Sequence, residues 1–388
     1  MTALCSTAVD DVQTFRPSQE VLRGFTMFDK SLRTWTEEIL CIADVKIDGD
    51  RSWDIAVHNE NFYRRVLRQG SLGLGESYMD GWWDCGELDQ LVLKILAADL
   101  RRKIPFHWML FPNPKVSLFN PQRKTRAARN ASRHYDLGND LYQIMLDKRM
   151  VYSCANWACA SNLDEAQEAK LNFVCQKLRI EPGMKVLDIG CGWGSFAKYA
   201  AEKHGAEVVG ITVSEQQVRL GKQMCAGLPI EIHFQDYRSV SGQFDRIVSL
   251  GMFEHVGHQN YRTYMEVVHR CLKTGGLFFL GSIGTNQSAH FQDAWVERYI
   301  FPGGMLPSIK LIGAAIEGLF VMEEWQNWGN YYDQTLMAWF KNFQENWERI
   351  RSQYDERFYR MWKYYLLSYA ASFRARNIQA WQVVLSPR

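Results

Sequence analysis

No CxxC pair occurs anywhere in this chain. Its nine cysteines, an odd number, are scattered, which excludes a cysteine-built zinc site and a disulfide scaffold and fits a reducing cytoplasm. Nor is there an apolar stretch approaching the roughly 18 residues that span a bilayer. The opening "MTALCSTAVDDVQTF" has no basic region followed by an apolar core, so neither export nor a membrane span is expected. Charge is nearly balanced, with a formal net of +2, too little to draw nucleic acid by bulk attraction. No nucleic-acid partner and no metal are expected, and any anionic partner has to be met by a local patch. Internal repeats and low-complexity tracts are absent as well. What is left is a globular chain of 388 residues, long enough for two or three domains.

Aromatic residues, by contrast, are plentiful. Fourteen tryptophans and seventeen tyrosines exceed what core filling requires, and amphipathic rings are favoured where a protein meets lipid headgroups or a large apolar ligand. Residues 1–20 read as a loose tail. Residues 21–110 mix short strands ("ADVKIDG", "WDIAVHN") with helical spacing ("NFYRRVLRQG", "ELDQLVLKILAADL"), a small α+β unit. Residues 111–133 hold three prolines and then Arg123, Lys124, Arg126, Arg129 and Arg133. They read as a linker whose basic run is either solvated or touches anionic headgroups. Residues 134–388 form the main domain. After residue 165 helices alternate with the strands "KVLDIG", "AEVVGITV", "IEIHFQ", "DRIVSL" and "GLFFLGS", the rhythm of an α/β, doubly wound, Rossmann-like parallel sheet. The last eighty residues read as mostly helical, with residues 339–373 as the longest periodic run.

The first of these strands runs into "DIGCGWGSF", a glycine-rich turn that opens a helix. Glycine permits close approach of the backbone to a ligand, and the helix start offers free N–H groups. A dinucleotide site would end the next strand in an acidic ribose reader; here it ends in "ITVSEQQ". With "GSLGLGESYMDGWWD", "HYDLGND", "YSCANW", "GMFEHVG", "YIFPGG", "DQTLMAW" and "FRARNIQAWQVV" following the same order, nearly the whole chain resembles the cyclopropane-fatty-acyl-phospholipid synthases. These are relatives of the mycolic acid cyclopropane synthases among the class I S-adenosyl-L-methionine-dependent methyltransferases.

The resemblance implies transfer of a methylene group from S-adenosyl-L-methionine to the cis double bond of unsaturated phospholipid acyl chains. It also implies a set of cofactor residues. Gly190, Cys191 and Gly192, in the GxGxG turn that Gly194 completes, would hold the methionine moiety with Asp188 in support. Thr212, Ser214 and Gln217 would read the ribose, Asp236 and Tyr237 the adenine, and Tyr152 and Ser153 would close over the cofactor. An alkene is a poor nucleophile, so the chemistry needs alignment in a dry cleft, where positioning contributes on the order of 7 to 11 kcal/mol. Positive charge then develops on the second alkene carbon, where π faces or a carboxylate stabilise it, and a base must take a proton from the arriving methyl.

Glu254, at the carboxyl end of the fourth strand, is by itself either a surface cap or a site residue. The resemblance implies that it holds a bicarbonate base together with Cys154, Tyr332 and the Ile283 backbone. Two positions depart from the family. Gly281 stands where the family has a bicarbonate-binding histidine, and Tyr369 where it often has a cysteine. The first departure leaves open bicarbonate binding, ring closure, a methyl- or methylene-branched product, and even a non-catalytic lipid-binding homologue. His255 or His258 is either a replacement donor or a loop residue. "DAWVERYIFPGGMLPS" reads as a lid over an apolar tunnel, carrying Trp295, Tyr299, Ile300 and Phe301. The expected partner is a phospholipid membrane surface, met peripherally on its cytoplasmic face. The N-terminal unit contacts lipid or mediates homodimer formation.

Overall fold

The computed structural model describes residues 31–100, 138–288 and 292–388. Five parallel strands, β3 (Lys185–Ile189), β4 (Glu207–Thr212), β5 (Ile230–Phe234), β6 (Phe244–Leu250) and β7 (Leu272–Thr285), match those read from the sequence. Val186, Leu187, Ile247, Val248, Phe278 and Phe279 are fully buried whichever face they point to, because helices cover both faces of a parallel sheet. Those helices are α6 (Leu163–Lys177), α7 (Ser195–His204), α8 (Glu215–Met224), α9 (Tyr261–Cys271) and α11 (Ile309–Ile316), α10 being the short helix Ala294–Tyr299. Three of the five starts are set by side-chain caps: Asn162 accepts from the Glu165 N–H, Ser214 from Gln217 and Ser308 from Leu311.

The chain end departs from the sequence expectation. The periodic run over 339–373 divides into two helices, α12 (Gly329–Asn346) and α13 (Glu356–Arg374), with Asp355 capping the second. Around them, β8 (Phe320–Asn327) and β9 (Ile378–Pro387) add two antiparallel strands, giving the order β5-β4-β3-β6-β7-β9-β8. The helical reading missed them because β9 is buried almost throughout and lacks the polar alternation that marks a strand.

The N-terminal unit, described from residue 31 to 100, is largely helical: α1 (Leu32–Cys41), α2 (Asn61–Gln69), α3 (Ser71–Met79) and α4 (Leu88–Ala97). Its only ladder is between the two-residue strands β1 (Ala56–Val57) and β2 (Trp83–Asp84). Its apolar residues are continuous with a core that also takes in α5 (Asn139–Met145), α12 and α13. Arg360 on α13 donates to the backbone carbonyls of Tyr78 and Trp83, and Arg374 bridges Asp89 and Asp333, tying the two parts by charge as well. The tail and the whole of the proposed linker, with its basic run, lie outside the described residues.

Candidate active site

Two cavities open along the carboxyl edge of the sheet. The first encloses ≈ 1200 Å³ beside the glycine turn and is lined by Asp188, Gly190, Cys191, Gly192, Thr212, Gln217, Asp236 and Tyr237. Gly192 has φ +57°, and a Cβ there would meet nothing within 4 Å, so its backbone is bared to the cavity. Burial pushes the Asp188 carboxyl up to about 7 against the pull of Lys170, and its Oδ2 lacks a protein partner, as does the Tyr237 hydroxyl. Thr212 donates its hydroxyl to Gln217 Oε1 at 2.6 Å, fixing both side chains at the end of β4. A glycine cradle, an orphaned carboxylate suited to an ammonium and an orphaned phenol suited to a heteroaromatic base fit S-adenosylmethionine. Two residues of the expected set stand apart from this lining. Ser214 caps α8, and Gly194, at φ +84°, starts α7, where a Cβ would press on Cys225 Sγ at 2.8 Å.

The second cavity, ≈ 780 Å³, is walled by rings and apolar side chains: Tyr152, Phe301, Met305, Leu306, Tyr332, Tyr365 and Tyr369. Glu254 sits in it, on the turn after β6, only 6 % exposed. It is therefore not a surface cap. Its Oε1 accepts from the Ile283 N–H at 2.5 Å, while Oε2 has no protein partner. Burial raises the carboxyl to about 7, against the opposing pull of backbone N–H groups and Ser282. The Ile283 amide is thus engaged by Glu254 itself. Cys154 is buried and its thiol is pushed well up by desolvation, so it is a weak donor and no nucleophile. Tyr332 is held by stacking on Phe373, with ring centroids 4.5 Å apart.

Tyr152, Ser153, Lys170, Leu250, Gly251 and His255 line both cavities and so form the wall between them. Tyr152 and Tyr365 share a hydroxyl hydrogen bond of 2.9 Å. Burial lowers His255 to about 4, leaving a neutral ring and a feeble base. His258 lies outside both linings, with Nδ1 against Met305 Sδ. Sequence reasoning missed Lys170, whose Nζ donates to Ser153 Oγ at 3.0 Å and whose pKa burial lowers to about 8. The signal was there: Ala166, Lys170, Leu171 and Val174 share the buried face of α6. It also missed Gln382, on β9, a strand it did not expect.

The lid segment is better anchored than a mobile flap. Trp295 is 1 % exposed, packs on Tyr364 at 4.7 Å and abuts Gly75, where any Cβ would collide with the indole. Glu76 accepts from Tyr299 at 2.8 Å and pairs with Arg298 and Arg65. Past α10, Phe301, Met305 and Leu306 roof the reaction cavity, and the Met305 N–H donates to the Glu254 carbonyl at 2.8 Å.

The strand order with its reversed terminal pair, joined to a glycine-cradled cavity at the carboxyl edge, defines a class I S-adenosylmethionine-dependent methyltransferase. Comparison with known proteins narrows this. Residues 122–383 match the family model "Mycolic acid cyclopropane synthetase". The chain is 51% identical over 350 residues to the cyclopropane-fatty-acyl-phospholipid synthase of Escherichia coli K12, covering 90% of this chain and 92% of that one. It is 33% identical to the tuberculostearic acid methyltransferase UfaA1 of Mycobacterium tuberculosis, over 83% of this chain and 80% of the relative. Among solved structures, the mycolic acid cyclopropane synthase CmaA1 complexed with SAH and CTAB superposes with a TM-score of 0.63 at 32% identity, covering 67% of this chain and 98% of that one. The chain belongs to the mycolic acid cyclopropane synthetase family.

Proposed function

We infer that this enzyme converts cis-unsaturated acyl chains of phospholipids to cyclopropane chains with S-adenosylmethionine. The observation that carries the reading is the wall of six residues shared by a glycine-cradled polar cavity and a ring-lined apolar one. When bound, the cofactor supplies an electrophilic methyl group. Tyr152 and Ser153, on the shared wall, orient it; Asp188, Gly190, Cys191, Gly192, Thr212, Gln217, Asp236 and Tyr237 bind its remainder. Phe301, Met305 and Leu306 exclude water, and the π faces of Tyr332, Tyr365 and Tyr369 suit a developing carbocation. Glu254, with Cys154 and Tyr332 beside it, would hold bicarbonate, which would supply the proton acceptor that ring closure requires.

Within the same reading, the enzyme works peripherally at a phospholipid surface on the cytoplasmic side, as a homodimer whose N-terminal unit helps seat the covering segment. Among the described residues no helix is long and apolar enough to cross a membrane. The test is incubation of the full chain with methyl-labelled cofactor and vesicles of either cis-unsaturated or fully saturated phosphatidylethanolamine. Label should enter the fatty acids of the unsaturated vesicles alone. Equal labelling of both, or of neither, defeats the reading.

A further inference from the structure

Gln382 is 7 % exposed and faces the reaction cavity, and its carboxamide makes no hydrogen bond among the described residues. It is placed by register. β9 runs antiparallel to β7, and Gln382 stands directly opposite Gly281, so the two positions share one face of the sheet. A Cβ built on Gly281 would lie 3.0 Å from Gln382 Oε1 and 2.9 Å from Leu250 Cδ2. The room that a side chain at 281 would occupy is therefore already taken by the Gln382 carboxamide. In the same cavity Glu254 Oε2 is buried without a protein partner.

A buried carboxylate oxygen without a partner and a carboxamide that faces the same cavity call for a polar occupant, because a buried polar group left unsatisfied costs stability. Glu254 offers an acceptor; the carboxamide offers two N–H donors and a carbonyl, whichever way it is turned. Bicarbonate matches both, giving its hydroxyl proton to the carboxylate and taking N–H donors on its anionic oxygens. That hydrogen bond offsets part of the like-charge repulsion between the two anions. We propose that Gln382 is a binding residue for the bicarbonate base, and that glycine at 281 is what lets its carboxamide reach the cavity. This rests on the bicarbonate reading above.

The experiment titrates bicarbonate into the full-length enzyme with S-adenosylmethionine and unsaturated phospholipid vesicles in carbonate-free buffer, while calorimetry follows cofactor affinity separately. The parent rate should rise with bicarbonate. In Gln382→Leu the half-saturating concentration should increase at least tenfold with cofactor affinity unchanged. Gly281→His should impair the response by displacing the carboxamide, and the pair Gly281→His with Gln382→Ala should recover it, since the alanine vacates the space the imidazole needs. A parent that responds to bicarbonate and a Gln382→Leu variant that responds equally would overturn the assignment of Gln382 and leave bicarbonate standing. A parent rate indifferent to bicarbonate overturns the base itself, and the proposal with it. Should Gln382→Leu lose cofactor affinity, Gln382→Asn, which keeps the amide one methylene short, takes its place with the same criteria.

Discussion

Replacing Glu254 with glutamine should stabilise the cofactor-free protein at alkaline pH while removing activity. The carboxyl rises from its ordinary 4.5 to about 7 because burial penalises the anion more than the Ile283 N–H and Ser282 relieve it. A folded-state pKa above the unfolded one means that the native state binds the extra proton between those values, so stability falls as pH climbs through that window. Below pH 4.5 the group is neutral in both states and contributes nothing; above pH 7 the full penalty, about 3 kcal/mol at 1.36 per unit, is present. Glutamine keeps an acceptor for the Ile283 N–H and cannot ionise. For a chain of this length unfolding as one cooperative unit, 3 kcal/mol corresponds to ~4 °C in melting temperature. Calorimetric melting of parent and Glu254→Gln at pH 5 and pH 8 is the assay, and the difference between the two differences isolates ionisation from any pH-independent effect of the amide. A variant that gains no more at pH 8 than at pH 5 would refute the claim that a desolvated carboxylate is stored at this site.

Gly192→Val puts a branched side chain at φ +57° with its Cβ projecting into the cofactor cavity. Cofactor affinity should drop more than a hundredfold by calorimetry while backbone strain costs about 1 to 3 kcal/mol of stability; tight binding by the variant would mean that the cofactor lies elsewhere. Trp295→Ala empties a fully buried site between α3, α10 and α13 and should cost about 3 to 5 kcal/mol. Hydrogen exchange should then quicken in residues 292–306 and in α3 together, and unchanged exchange in both would mean that the N-terminal unit does not secure the roof of the reaction cavity.

The parallel half of the fold was legible because strands rich in apolar residues alternate with helices, three of them opened by side-chain caps, and this rhythm is local. Glu254 was legible as a position at a strand end, and only the fold makes it a buried carboxylate rather than a cap. What escaped was non-local. β9 is buried on both sides and follows a long aromatic helix, so its residues look like more of the same core. Gln382 therefore looked like an ordinary polar residue, although the register sets it opposite Gly281 at the reaction cavity. Ser214 and Gly194 were read as ligand contacts because helix starts and ligand turns draw on the same residue types. Trp295, read as part of a lid, is a packed anchor, since sequence alone cannot tell an aromatic facing lipid from one facing Tyr364.

The central claim is that a methyl group arrives on an alkene in the ring-lined cavity and loses one proton to a base there, closing a three-membered ring. Supplying S-adenosylmethionine with a fully deuterated methyl group and counting deuterium in the product fatty acids tests it most directly. The account predicts chains that gain one carbon carrying two deuteriums and that resist mild hydrogenation, as a saturated ring does. Products that keep all three deuteriums, or that take up hydrogen as a methylene branch does, would contradict it.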